Sequence, residues 1–360
     1  MIKRGATFGA EHIAFTDRET GAAVVQLTNA PVHSHAFYFE YPSFNITNDT
    51  VFFYSQRVGM RGAPWDLFCA NADGEQIVLL SDAEYPLSAA YPAPDDPRAV
   101  YGVRGTAVIR LNIDTLEETE IARFEGVHSL SGGSMDGAGR WFVTMGTRSG
   151  DDGKINTTLR IDTQSGEIAE LGEDLANVHL TINHSGTILH FRHAWSGPDA
   201  LAVCDIDGEN FRGIGFQDFA HRMWLGTTDR LQGPLLPPGR GIVQVELDDT
   251  EPTPICSGPY FWHSASSIDG EWIVADTNWP EQGILLVHVA SGRYAPVTMP
   301  HACPGAAQYT HPHPSFDRTG SRVIYTVNRG GLSQVHIATI PDELRHELAT
   351  GALTNRLRLR

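Results

Sequence analysis

Hydrophobic positions along the chain fall in short runs rich in β-branched and aromatic residues, each broken by Gly, Asp or Asn. That alternation predicts strands joined by tight turns, and a helical spacing shows only after Pro341. The runs recur as a unit: a first strand, a turn, a second hydrophobic run, a gap, and a strand that closes on an Asp/Asn-Gly or Ser-Gly turn. FYFEYPSFNITNDTVFFYSQR leading into PWDLFCANADGEQIVLLS is one copy, and PHPSFDRTGSRVIYTVNRG leading into LSQVHIATIPDE is another. Further units begin near Leu87, His128, His179, His221 and His263. The spacing of roughly 40–50 residues is that of a propeller blade. The expectation is an all-β chain: one seven-bladed β-propeller domain over residues 1–360, with four antiparallel strands per blade. The last unit lacks its outer strand. GAAVVQLT, residues 21–28, is placed to supply it and close the ring, which removes the open sheet edge. Residues 344–360 form a C-terminal tail whose end, NRLRLR, is expected to fray.

The histidines keep a common phase in this repeat. His35, His128, His179, His221, His263 and the pair His311 and His313 stand at or just before the first strand of six of the seven units. In a propeller the first strand lines the central channel, so these rings are expected to converge at one mouth. Each ring alone reads as a structural residue; the shared phase reads as a site. In QYTHPHPSF, residues 308–316, two imidazoles stand two apart, and on an extended strand such positions share a face. Pro312 and Pro314 place them at a strand entrance, since proline donates nothing to a ladder. Gln308 can add an oxygen donor. Arg192 and His193, adjacent at the end of one run, are candidates to clamp a carboxylate.

Composition narrows the chemistry. Hydrophobic residues at 41% and charged residues at 19% suit a globular chain, and no run is long enough to span a membrane. The N-terminal residues lack the apolar core of a signal peptide, which points to the cytoplasm. A formal charge of −17 argues against nucleic acid or an anionic membrane as partner. An anionic small substrate would need a local cluster of arginine, histidine or metal. Cys69, Cys204, Cys256 and Cys303 are far apart with no Cys-x-x-Cys pair, which suggests core thiols. Phosphate-binding, dinucleotide and nucleophile-elbow motifs are missing. His346-Glu347 begins a zinc-protease pattern, but Thr350 stands where the second histidine belongs, so this is expected to be a solvated helix.

At QYTHPHPSF the chain resembles the oligogalacturonate lyases of polysaccharide lyase family 22, seven-bladed propellers of the cytoplasm that cleave short pectin fragments by β-elimination. The likeness extends to SHAFYFEYPSF around His35 and to NVHLTINHSGTILHFRH, which carries His179 and His193. It implies that Gln308, His311 and His313, joined by His263 in FWHSASSIDG, bind manganese. It also implies that His221, in HRMW, abstracts the proton, and that His35 and His179 line the substrate site. The family's active-site arginine aligns with Ala200, so that role is vacant or has passed to Arg192 or Arg222. The connection around Trp279 is shorter than in the family.

The implied chemistry is coherent. The proton α to a uronate carboxylate is weakly acidic until the carboxylate charge is neutralised, which a divalent metal does as a Lewis acid. Three imidazoles and an amide oxygen suit Mn, Fe, Co, Ni or Zn better than Ca or Mg. A histidine base needs little tuning to work near neutral pH. The expected function is a metal-dependent lyase that acts on a small acidic oligosaccharide. The rivals are a metal-containing propeller that binds uronates without turnover, an interaction propeller without metal, and a cupin-type jelly roll. The last needs a nearby glutamate that PSFDRTGS does not offer.

Overall fold

In a computed structural model, residues 2–58, 64–150, 153–277 and 281–352 are described. Trp279 and the NRLRLR end lie outside them. The chain forms seven antiparallel sheets arranged as the blades of a propeller. The first strands begin at Ser34, Ser88, Ser129, Val178, Met223, Phe261 and Ser315, close to the unit starts read from the sequence.

Blade strands are buried on both faces because each sheet packs against two neighbours. Thr50–Ser55, TVFFYS, shows it: Phe52 faces a cluster with Leu87, Val100 and Leu111 of blade two, while Phe53 faces one with Ile324 and Val335 of blade seven. The core is therefore a ring of interblade clusters around the channel.

Closure follows the expected route and is more extensive. Ala23–Gln26 adds to the outer edge of blade seven, pairing Val24 with Ala338 and Gln26 with His336. Two further strands carry on the closure. Ile13–Thr16 pairs outside Ala23–Gln26, and Thr7–Phe8 pairs with Ile77 and Val78 on the outer edge of blade one. The N-terminal segment thus ties the first blade to the last. Sequence periodicity misses these strands because they are short and largely exposed.

Asp17 fastens the same segment to blade six. Its Oδ2 accepts from Thr298 Oγ1 and the Met299 amide, both at 2.7 Å, and its Oδ1 accepts from the amides of Glu19 and Thr20. Burial acts to raise this carboxyl, but the hydrogen bonds outweigh it and hold it below the ordinary value. A folded pKa below the unfolded one means a stabilisation that is complete above ~4 and is lost as pH falls through the folded value. Asp17→Asn should therefore cost about 1–3 kcal/mol at neutral pH. In melts run as a pH series, the gap to wild type should close below about pH 4.

The tail differs from expectation. Asp342–Thr350 is a helix, but Leu344 and Leu348 are buried in the cluster of blades six and seven, and Arg293 Nη1 donates to the Leu348 carbonyl. His346-Glu347 thus lies on a docked helix, not a solvated one. Of the cysteines, Cys69, Cys204 and Cys256 are buried thiols, whereas Cys303 is exposed. Among the described residues no helix is long and apolar enough to cross a membrane.

Candidate metal centre

Backbone irregularities recur at the level of the histidines. The first strands of blades two, three, four and six each carry a register shift, at Ser88/Tyr91, Ser131/Ser134, Val178/Thr181 and Phe261/Ser264. Such a bulge turns a side chain out of the pleat. Ala89, Gly132, His179, His221 and His313 hold a left-handed backbone at this level, with φ of 48°, 68°, 59°, 43° and 45°. Non-glycine residues enter that region at a cost and do so mainly where function requires it.

His311 and His313 do not sit on a strand. Gln308–Thr310 is a single 3-10 turn, His311 is extended, His313 is left-handed, and the ladder starts at Ser315. The cause is the one proline supplies: neither Pro312 nor Pro314 can donate to the neighbouring strand. The two rings converge through the kink, with centroids 5.7 Å apart. His263, from blade six, lies 4.2 Å from His313 and 5.6 Å from His311. One nitrogen from each ring falls within 4.8 Å of the others, and Gln308 Oε1 is 3.1 Å from His313 Nε2.

The tautomers suit an ion. His263 Nδ1 faces Asp276 Oδ2 at 2.9 Å, and the same carboxylate accepts from the backbone amides of His263 and His313. A carboxylate only accepts, so the proton is on Nδ1 and the lone pair on Nε2. That Nε2 is buried with no partner, on a fully buried ring. His311 Nε2 lies 2.7 Å from the Gly305 carbonyl, which leaves its Nδ1 as the basic atom. Burial, and then the neighbouring His263 and His311, hold the His313 ring neutral, well below the usual histidine value. An orphaned, buried, basic nitrogen beside two more imidazoles and an amide has the chemistry to hold a transition metal.

Asp276 escapes a motif search, though its setting gives a signal: a carboxylate inside the apolar strand WIVADT must have a buried partner. By orienting His263 it should matter to affinity more than to fold. Asp276→Asn is expected to weaken metal binding ~10–100-fold. Titration with a competing chelator measures this, and an unchanged affinity would remove Asp276 from the site.

The floor of the centre is a second feature hidden in the sequence. After Ser34–Ala36, blade one's first strand leaves its sheet and returns only at Phe44, which bridges Val51. The excursion plugs the channel. Tyr38 packs 4.5 Å from His313, Phe39 packs 5.4 Å from His263, and Glu40 Oε1 holds His179 Nδ1 at 2.7 Å.

Around this centre the other expected residues divide. His221 joins it, with its ring 4.4 Å from His263 and 4.5 Å from Trp262 and its Nδ1 buried without a partner. Burial, helped by the neighbouring His263, pushes it down to about 2. His221 thus stays neutral across the working range, unlike the nearly untuned histidine expected. Arg222 is buried with Nε unpartnered; burial and then Arg192 push it down to about 10, against the pull of Glu40 and Tyr38. Arg192 is half-buried over the exposed Trp195, with its pKa lowered by burial. His35 lies in an aromatic group with Tyr54, Trp65 and Tyr309 and is lowered to about 4 by burial. His193 is engaged elsewhere, by the Leu175 carbonyl at Nδ1 and by Phe211 at its face. His128 pairs with Ser149. Ala200 sits in the loop that follows Arg192. His190, three residues before His193 and not singled out by the histidine phase, is fully buried, with both nitrogens unpartnered and Trp224 6.2 Å away.

These features define a class: a seven-bladed propeller with a cluster of imidazoles at one end of its channel. Within that class the chain resembles the oligogalacturonate lyases along nearly its full length, in sequence and in fold. It is 22% identical to the oligogalacturonate lyase of Dickeya dadantii (strain 3937), over 92% of this chain and 96% of that protein. An oligogalacturonate lyase solved in complex with manganese superposes with a TM-score of 0.82 at 18% identity, covering 96% of this chain and all of that one. The oligogalacturonate lyase of Vibrio parahaemolyticus gives 0.81 at 17%, covering 95% and 100%. No protein-family model matches the chain.

Proposed function

We propose that this protein is a metal-dependent lyase that cleaves short oligogalacturonates, or a closely related oligouronate, by β-elimination and releases a 4,5-unsaturated uronate. The observation that carries the reading is the buried, unpartnered His263 Nε2 facing His311, His313 and Gln308, with buried His221 against the same ring. The similarity to oligogalacturonate lyases supports the substrate class. Four unpaired cysteines fit a reducing compartment, so the cytoplasm is the proposed location.

In this reading His263, Gln308, His311 and His313 hold the ion, and Mn²⁺ is the proposed one because a related lyase was solved with manganese. When bound, it supplies Lewis acidity at the uronate carboxylate, which acidifies the α proton. His221, neutral and with a free Nδ1, takes that proton. The C–H electron pair becomes the new double bond, the C–O bond to the leaving sugar breaks, and the departing oxygen takes up the proton that His221 gained, which returns the ring to its neutral form. An anionic substrate beside His221 favours its protonated form and so restores basicity that burial removed. Glu40 fixes His179 as an Nδ1–H tautomer, so its Nε2 is free to accept from a sugar hydroxyl. Tyr38 and Phe39 exclude water beneath the ion. Arg222, with its unpartnered Nε, and Arg192 supply the positive charge for which Ala200 has no group; His35 lines the mouth.

Two measurements test this reading. Incubation with a panel of oligouronates, followed by ultraviolet absorbance of the conjugated double bond, should give product on oligogalacturonate, and silence on every uronate would refute it. If Arg192 meets a substrate carboxylate, Arg192→Ala should reduce kcat/KM by an amount equal to about 1.5–3 kcal/mol, the value of a charge-assisted contact. Full activity in that variant would leave the role to Arg222.

A further inference from the structure

The channel has a second end, and the plug that floors the metal centre also roofs a cavity there of about 340 Å³. Its walls come from positions beyond the histidine level of the first strands, and none of the four proposed metal ligands takes part. Phe39, Tyr41, Tyr91, Trp224 and Phe316 make it strongly aromatic. Its polar groups are unevenly partnered. The carboxylates of the wall are engaged: Glu40 by His179, Asp136 by the Trp141 amide, Asp317 by Arg322. The cation is not. Arg318 reaches the cavity with Nε and Nη2 both buried and without a hydrogen-bond partner. Ser315, 5% exposed, and Trp224, 6% exposed, line the same space, and their Oγ and Nε1 are also unpartnered.

The identity of the two arginine atoms matters. Nε and Nη2 form the side edge of the guanidinium, whose two parallel N–H groups match the two oxygens of a carboxylate. A buried cation without a counter-charge is costly, and burial depresses the Arg318 pKa with Tyr91, not a carboxylate, opposing it. The cavity therefore has one unfilled demand, a bidentate anion, surrounded by a hydroxyl, an indole N–H and the ring faces on which a sugar stacks.

We propose that the end of the channel opposite the metal centre is a separate binding site for a carboxylate of monosaccharide size, held by the Arg318 side edge with Ser315 Oγ and Trp224 Nε1 and stacked on the aromatic wall. A uronic acid monosaccharide is the class that joins both features. Occupancy of this site does not depend on whether the other mouth performs elimination.

The test is calorimetric titration of the full chain with D-galacturonate, D-galactose, acetate and inorganic phosphate, using wild type, Arg318→Met, Trp224→Phe and His311→Ala. The expected result is galacturonate binding that His311→Ala leaves intact and that Arg318→Met weakens by at least ~10-fold, the loss of one charge-assisted contact. Trp224→Phe keeps the ring, loses the N–H and should weaken binding less. Galactose and acetate should each bind at least ~10-fold more weakly than galacturonate, since each lacks one of the two features. Arg318→Met removes an unpaired buried charge, so its ligand-free melting temperature should match or exceed that of wild type, and galacturonate should raise the melting temperature of wild type and of His311→Ala but not of Arg318→Met. Binding that is equal in wild type and a folded Arg318→Met, or lost only in His311→Ala, would overturn the proposal. Phosphate or acetate binding as strongly as galacturonate would overturn the assignment to a sugar acid.

Discussion

His311→Ala is expected to empty the metal centre, taking the protein from about one transition-metal ion per chain to almost none, and to abolish turnover with it. Three imidazoles and one amide oxygen are the full proposed donor set, and a labile divalent ion is rarely held against chelator once a ligand is lost. His311 is the cleaner choice of ligand because its backbone is extended, at φ −84°. His313 sits at φ 45°, a left-handed backbone that alanine does nothing to favour. His313→Asn tolerates that conformation better and should also lose the ion. Elemental analysis after dialysis against chelator decides it, and metal retained by both variants would exclude the site.

The second large effect is expected at His221. A variant without the ring should keep fold and metal yet lose turnover by ~100-fold or more, the scale of general base catalysis. His221 also has a left-handed backbone, φ 43°, so His221→Asn separates lost chemistry from lost stability better than alanine does. Burial keeps the ring neutral down to about pH 2, so its own protonation should not set an acid limb of kcat/KM in the pH 4–8 range. A His221→Asn enzyme within a few-fold of wild type would move the base elsewhere. The His179–Glu40 pair, already oriented, is then the alternative.

The propeller was legible because its repeat is written twice, once in the strand-turn rhythm and once in the histidines that share a phase. For His179 and His263 the second signal has a physical origin in the first-strand bulges, whereas His221 and His313 share the centre from left-handed backbone positions. Legibility failed where position depends on tertiary path instead of period. Glu40 and Tyr38 reach the centre because blade one's first strand leaves its sheet, and nothing local in FYFEYPSF announces that departure. Thr7–Phe8 and Ile13–Thr16 pair on outer edges that carry little hydrophobic pattern. Arg192 and His193 adjoin in sequence, yet neighbours at a strand end point to different faces. His193 turns to Leu175 and Phe211, whereas His190, within the strand, is the buried ring beside Trp224. Asp276 was open to inference from its apolar strand, and its role became visible only with His263 opposite it.

In the proposed function, metal held at the His263, His311 and His313 cluster is what makes this propeller eliminate across a uronate. The direct measurement is appearance of the unsaturated uronate from oligogalacturonate by the protein as purified, after stripping with chelator, and after return of Mn²⁺. Activity, then loss, then recovery is expected in wild type, with no recovery in His311→Ala. Elimination at an undiminished rate by the stripped protein, or by His311→Ala, would contradict it.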